Sequence, residues 1–162
     1  MPQTTPPPLI GALLRMPVDA VHARIIGGVH AAGFTDIVPA HMAVLRYPGP
    51  DGRRPSDLAD EAGMTRQAMN YLLGQLEQLG YLERVDDAED GRSRRVRATR
   101  RGEALRKTVR SIVTEIEAEL ERELGTRDLQ HLRRLLVRLN ETSLVRSRRN
   151  DYVIPGATTP AS

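Results

Sequence analysis

No cysteine occurs in this 162-residue chain. Disulfides, thiolate catalysis, zinc–sulfur sites and cysteine redox sensing are therefore excluded. Aromatic side chains are nearly as scarce: Phe34, Tyr47, Tyr71, Tyr81 and Tyr152 are the full set. The core must be aliphatic, and a chain dominated by Leu, Val, Ile and Ala favours helices over a sheet sandwich. Lys107 is the one lysine among 24 basic residues. An arginine excess that runs through the whole chain is first of all a codon preference, but arginine forks also suit phosphates and guanine edges. No apolar run is long enough to span a membrane, and the start, Met1 to Pro8, lacks the charged and apolar regions of a signal peptide. A soluble, cytoplasmic protein is expected. No nucleophile–histidine pair stands in a recognisable context and no glycine loop fits a phosphate, so neither an enzyme nor a cofactor is expected. His22, His30 and His41 lack ligand spacing, and no metal site is expected.

The length fits one compact domain with a helical extension. The formal net charge is only +3, but it is unevenly spread. Acids crowd into 86–90 and 115–123, arginines into 92–101 and 133–149, and a polyanion responds to the local field. Residues 1–8 are Pro/Thr-rich and read as a disordered tail. Residues 9–33 hold a short apolar arm, then a helix starting near Pro17 with Val21, Ile25, Ile26, Val29 and Ala32 on its apolar side. Gly27-Gly28 interrupts it, either for close helix contact or through simple tolerance. Residues 34–102 form a lobe that opens with a helix at Pro39. Residues 103–149 carry two striped helices, one capped by Thr99 and running to Leu124, one starting at Thr126 with Leu129, Leu132, Leu135, Leu136 and Leu139. Residues 150–162 read as a second disordered tail.

Residues 53–102 carry the most information. Ser56 to Gly63 reads as a short helix, capped by Ser56 and ended by a glycine turn. Met64 to Leu79 reads as a second helix that Gly80 ends. Its Met69, Leu72, Leu73, Leu76 and Leu79 must bury, while Arg66, Gln67, Asn70 and Gly74 face away. Two helices across a tight turn can set the second in a DNA major groove. Arg66 suits guanine O6/N7, and Gln67 or Asn70 suits adenine N6/N7. Thr65 suits a cap or a phosphate, and Ser56 lies within reach of the DNA backbone. Tyr71 fits equally a phosphate or thymine methyl and packing at the domain edge. Tyr81–Val85 and Arg94–Ala98 then read as strands around Asp90-Gly91, with a loop longer than two residues fitting the spacing best. In this wing Arg92 can enter a minor groove with Asp90 orienting it, and Arg94 and Arg95 add cations. The acids from Asp86 to Asp90 are expected to pair with the hairpin's own arginines at its base, leaving free cations at the tip.

The stretches Pro39-Ala40-His41-Met42-Ala43-Val44-Leu45, Leu58-Ala59-Asp60-Glu61-Ala62-Gly63-Met64, Leu76-Glu77-Gln78-Leu79-Gly80-Tyr81-Leu82-Glu83-Arg84 and Asp87 to Gly102 resemble the MarR family of bacterial transcriptional regulators. The family's wing usually reads Asp, two spacers, then Asp-Arg-Arg. Here Asp87, Asp90 and Arg92 match, while Gly91 replaces the first Arg. Ala98 stands where leucine is common, and Val38 where a capping Thr or Ser usually precedes the proline. The resemblance implies a mainly α protein: a winged helix–turn–helix with long N- and C-terminal dimerisation helices. It also implies a homodimer in which each subunit reads half of a palindrome on double-stranded DNA. The apolar stripes of the first and last two helices exceed what a small lobe can cover, which agrees with a partner surface.

The resemblance further suggests a small aromatic or phenolic effector, for which Met16, His22, Phe34, His41 and Tyr47 are the candidate lining residues. The expected function is sequence-specific repression of transcription. Two alternatives stand beside it: an architectural protein coating DNA without sequence preference, and a winged-helix adaptor that binds a protein partner.

Overall fold

The computed structural model describes residues 8–45, 52–86 and 94–145. The expected tails fall almost wholly outside these residues, as do Tyr47, Asp90 and Arg92. The described chain is mainly helical, in the order α1 (Ile10–Ala31), α2 (Pro39–Leu45), α3 (Pro55–Ala62), α4 (Arg66–Gln78), β1 (Leu82–Asp86), β2 (Arg94–Ala98), α5 (Arg100–Leu124) and α6 (Thr126–Asn140). The two strands pair antiparallel, with Leu82 opposite Ala98 and Asp86 opposite Arg94.

The first helix departs from expectation. It begins at Ile10, with Pro17 in its interior. Proline removes one hydrogen bond and crowds one carbonyl, but Ala12, Leu13, Leu14, Arg15 and Met16 are good helix formers, so the apolar arm is helix as well. Further on, Ser56 is not the cap of α3. Arg54 takes that position, and Pro55 supplies the fixed φ of the first turn. The Ser56 hydroxyl bonds Asp57 Oδ1 at 3.2 Å instead. Gly63 ends α3 in the left-handed region (φ 63°), where a side chain is strained, and the Met64 amide returns to the Ala59 carbonyl at 2.9 Å. Met64 therefore belongs to the turn. Thr65 caps α4 by accepting the Ala68 N–H at 3.1 Å, and Thr99 caps α5 by accepting that of Gly102 at 3.1 Å.

One contiguous core joins the parts. Ile37, Val44, Leu58, Met69, Leu73, Leu76, Tyr81, Leu82 and Val96 fill the lobe, and Ile25 and Val29 of α1 with Leu105 and Ile116 of α5 extend it into the long helices. The aliphatic expectation holds: Tyr81 is the one aromatic side chain fully buried among the described residues. A third short strand segment has no counterpart in the sequence reading. Arg53 forms a bridge to Val96, its N–H and C=O both bonded to that residue at 2.9 and 2.8 Å. A single extended residue after a turn leaves no periodic signal.

Candidate nucleic-acid interface

Helix α4 sorts its residues by the demand of burial. Met69, Leu72, Leu73 and Leu76 are buried and Leu79 is half-buried, which pins the helix to α2, α3 and the hairpin. The opposite side carries Arg66, Gln67, Asn70 and Tyr71, all exposed. Among the described residues, no hydrogen bond or ion pair engages the side chains of Arg66, Gln67 or Asn70. No acidic residue stands in the first turn, so the partial positive charge of the helix N-terminus is open to an anion. Thr65 spends its hydroxyl on the cap, the first of its two expected roles.

The base of the hairpin contrasts with that free face. Arg97 donates to Glu83 at 2.7 Å, Arg84 to Glu77 at 3.1 Å, and Arg94 lies 3.9 Å from Asp86. Arg53 pairs with Glu61 of α3. Pairing at the base is present, but through Glu83 and Glu77; of the expected acids 86–90 only Asp86 lies among the described residues, and it faces Arg94 at the opposite end of the strands. Arg94 is exposed and Arg95 half-buried on β2; the wing tip with Asp90 and Arg92 lies outside the described residues.

A cluster not foreseen in the sequence ties this lobe to α5. The buried Tyr81 donates its hydroxyl to Asp36 Oδ1 at 2.5 Å. Arg101 donates to Asp36 Oδ2 at 2.8 Å and to the Leu79 carbonyl at 2.7 Å, with its guanidinium 4.3 Å from the Tyr81 ring centre. Burial, then the Asp36 carboxylate, push the Tyr81 phenol up to about 12. For Asp36, desolvation raises the pKa, but the Tyr81 hydroxyl, the backbone and Arg101 outweigh it and hold the carboxyl below its ordinary value. These residues come from the α1–α2 loop, the start of the hairpin and the first turn of α5. Sixty-five residues separate Asp36 from Arg101, and no local spacing could have paired them.

The candidate lining residues for a ligand are dispersed. A cavity of about 800 Å³ opens between α1, α2 and α5, walled by Val21, Ile25, Ile26, Met42, Leu45, Leu105, Val109 and Val113, with Arg106, Arg110 and Glu117 among its polar groups. His22 borders it. Met16 is exposed on the early part of α1. Phe34 packs instead against Tyr81, ring centres 6.2 Å apart. His41 is buried beneath α4 and bonds Gln75 at 3.2 Å. Tyr47 lies outside the described residues. The walls that the sequence does not disclose come from α5, whose stripe reads there as core and partner contact alone.

Residues 35–93 match the family model described as MarR family. An HTH-type transcriptional repressor of Mycobacterium tuberculosis is 29% identical over 130 residues, covering 80% of this chain and 87% of the relative. Among solved structures, NadR in complex with 4-hydroxyphenylacetate aligns with a TM-score of 0.63 at 23% identity, over 86% of this chain and 97% of that one. An S. aureus MepR mutant bound to an oligodeoxyribonucleotide aligns at 0.55 and 22%, over 83% and 98%. At these identities the two structures establish the fold.

Proposed function

We infer from the match of residues 35–93 to the MarR family model and the likeness to a named repressor that the chain is a MarR-type transcriptional regulator, and we propose that it is a homodimeric, sequence-specific DNA-binding repressor that acts in the cytoplasm by occupying a palindromic operator. The observation that carries this reading is the exposed set Arg66, Gln67 and Asn70 at the N-terminal end of α4, free of internal partners among the described residues. Side chains of this chemistry match base edges in a major groove. In this reading Thr65, Tyr71 and Ser56 lie toward the backbone, and Asp90, Arg92, Arg94 and Arg95 form the gripping wing. Residues 9–33 and 103–149 supply the dimer surface and 34–102 the DNA-reading lobe. The M. tuberculosis relative is named a repressor, which supports the sign of regulation.

The cavity beside His22 supports the reading of a small-molecule effector. Its apolar walls suit an aromatic ring, and Arg106 and Arg110 suit an acidic substituent. NadR, a fold relative, holds 4-hydroxyphenylacetate.

Selection of bound fragments from the source genome would yield the operator. Arg66→Ala or Asn70→Ala should then relax preference at one operator position, by about 1–3 kcal/mol. Arg94→Ala should weaken all sequences together and flatten the salt dependence by about 0.9 log unit for each phosphate it no longer neutralises. The wild type should prefer its operator to random DNA by roughly 10³-fold or more. Equal affinity for both would reject the reading in favour of an architectural role, and no binding to any fragment would favour an adaptor.

A further inference from the structure

A hydrogen-bonded chain runs from the start of α2 to the outer face of α4. The Val38 amide donates to His41 Nδ1 at 3.3 Å. His41 Nε2 meets Gln75 Oε1 at 3.2 Å, and Gln75 Nε2 donates to the Tyr71 hydroxyl oxygen at 3.1 Å. One end is buried, with His41 3% exposed, and the other lies in solvent, with Tyr71 66% exposed. Val38 directly precedes α2 and His41 is its third residue. His41 thus fills the place where a Glu or Gln commonly reaches back to the capping residue's N–H. The imidazole adds a second nitrogen on the far side of its ring, and that nitrogen carries the connection on to α4.

The polarity of the chain follows from its first member. A backbone N–H can only donate, so Nδ1 must offer a lone pair and the neutral ring carries its proton on Nε2. That N–H needs an acceptor, which turns the Gln75 carbonyl oxygen inward and its NH₂ outward. The NH₂ donates to the Tyr71 oxygen. Flipping the amide would set two donors against each other at His41. Tyr71 is therefore left with its own O–H proton to give, on an oxygen polarised by the bond it accepts. Tyr71 follows Gln67 by four residues and shares its side of the helix.

We propose that His41 and Gln75 are positioning residues that fix Tyr71 as a hydrogen-bond donor to a phosphate oxygen of bound duplex DNA. The inference rests on the DNA-reading role proposed for α4 and adds to it a buried source of orientation. A phosphate offers acceptors only, which suits a group prepared solely to donate. Holding the ring beforehand also removes part of the ordering cost of binding.

The test measures binding of the full chain to its selected operator and to a scrambled duplex, by fluorescence anisotropy across a salt series. Tyr71→Phe should weaken both about 5- to 10-fold, with the salt slope unchanged because no cation is removed. Gln75→Leu should weaken both by a similar factor in the wild type, and add nothing in a Tyr71→Phe background. His41→Leu, checked by thermal melting, should follow the same non-additive pattern. Unchanged binding by Tyr71→Phe would overturn the inference. So would a Gln75→Leu loss that persists undiminished without the hydroxyl, or a Tyr71→Phe loss confined to one base pair. Arg66→Ala separates the two levels: if it alters base preference while Tyr71→Phe does nothing, only the positioning chain fails. A wild type that binds neither duplex overturns both.

Discussion

Helices α4 and α6 carry similar leucine stripes, yet they end in opposite environments. In α4, Met69, Leu73 and Leu76 are at most 1% exposed, covered by α2, α3 and the hairpin. In α6 only Leu129 is buried, while Leu132, Leu135 and Leu136 are between 37% and 44% exposed. The start of α1 is similar, with Leu9, Ile10, Leu13 and Met16 open. Fully burying one such side chain stabilises by roughly 1.5–3 kcal/mol. The lobe around α4 has realised that gain within one chain; the terminal helices have not, and their stripes stand open. Periodicity announces that a stripe will be covered but is silent about whether the cover comes from the same chain.

The sharpest way to break this comparison is to charge the open stripe. Leu132→Glu combined with Leu135→Glu should weaken self-association by on the order of 10³-fold, because burying unpaired carboxylates costs several kcal/mol. Sedimentation velocity across a concentration series would read it. The monomeric variant should retain the lobe's helical signal, since that core does not draw on α6. A wild type that sediments as a monomer at micromolar concentration would sink the idea that α6 awaits a second copy.

The joint between the two regions has the next largest effect. A Cβ at Gly102 would stand 2.1 Å from the Tyr81 carbonyl oxygen and 3.2 Å from Ala98 Cβ. The first obstacle is backbone, itself held by the Thr99 N–H at 3.0 Å. Gly102→Ala should therefore destabilise the fold by about 3 kcal/mol through overpacking, seen as a lower urea midpoint. A change under about 1 kcal/mol would mean that α5 can slide away from the hairpin without cost.

Local features of the chain were legible to the degree that local chemistry decided them. The caps at Thr65 and Thr99, the stop at Gly63 and the buried side of α4 all follow from spacing within a few residues. The two strands were readable too, although Tyr81, read as strand, proved to be a buried bend preceding β1. Ser56 misled because Pro55 competes for the same helix start and wins through its fixed φ. Pro17 misled because one missing hydrogen bond does not stop a helix with good formers on both sides. The long-range sites were not legible. His41 looked like a pocket residue, yet the 34 residues to Gln75 close up only when α2 packs on α4. Neither the Asp36–Tyr81–Arg101 cluster nor the α5 wall of the cavity has a signature in sequence distance.

That cluster gives a moderate, pH-dependent prediction. Tyr81 ionises near about 10 when unfolded and is pushed up to about 12 in the fold. Its contribution is thus full below about pH 10 and vanishes as pH rises through 12. Asp36 runs the other way: its carboxyl is held low, so its contribution is present above an unfolded value of about 3.9 and vanishes as pH falls through the lowered folded value. Tyr81→Phe should cost about 1.5 kcal/mol at neutral pH, the worth of a hydrogen bond to a charged group, and should flatten the alkaline limb of a stability–pH curve. An alkaline limb identical to that of the wild type would show that the phenol is not what titrates there.

The smallest effect separates two neighbouring glycines. Gly27 and Gly28 both lie inside α1, and the sequence left close contact and simple tolerance equally open for the pair. The structure divides them. A Cβ at Gly27 meets nothing within 4 Å, whereas one at Gly28 would lie 2.7 Å from Ile112 Cδ1. Gly27→Ala should therefore stabilise the helix by about 0.5–1 kcal/mol, the usual gain over glycine at a helical position. At Gly28 the same gain is opposed by displacing the Ile112 side chain from the α1–α5 contact, so the net change should be near zero or destabilising by up to about 1 kcal/mol. Ile112 is the end of a flexible side chain and can yield, unlike the carbonyl facing Gly102, which is why the expected loss is smaller here. Urea denaturation at one protein concentration would resolve the difference between the two alanine variants. If both shift the midpoint upward equally, the approach of α1 to α5 is not set by Gly28. If Gly28→Ala alone fails to stabilise, and Ile112→Val in that background restores the gain, the contact itself is what requires the glycine.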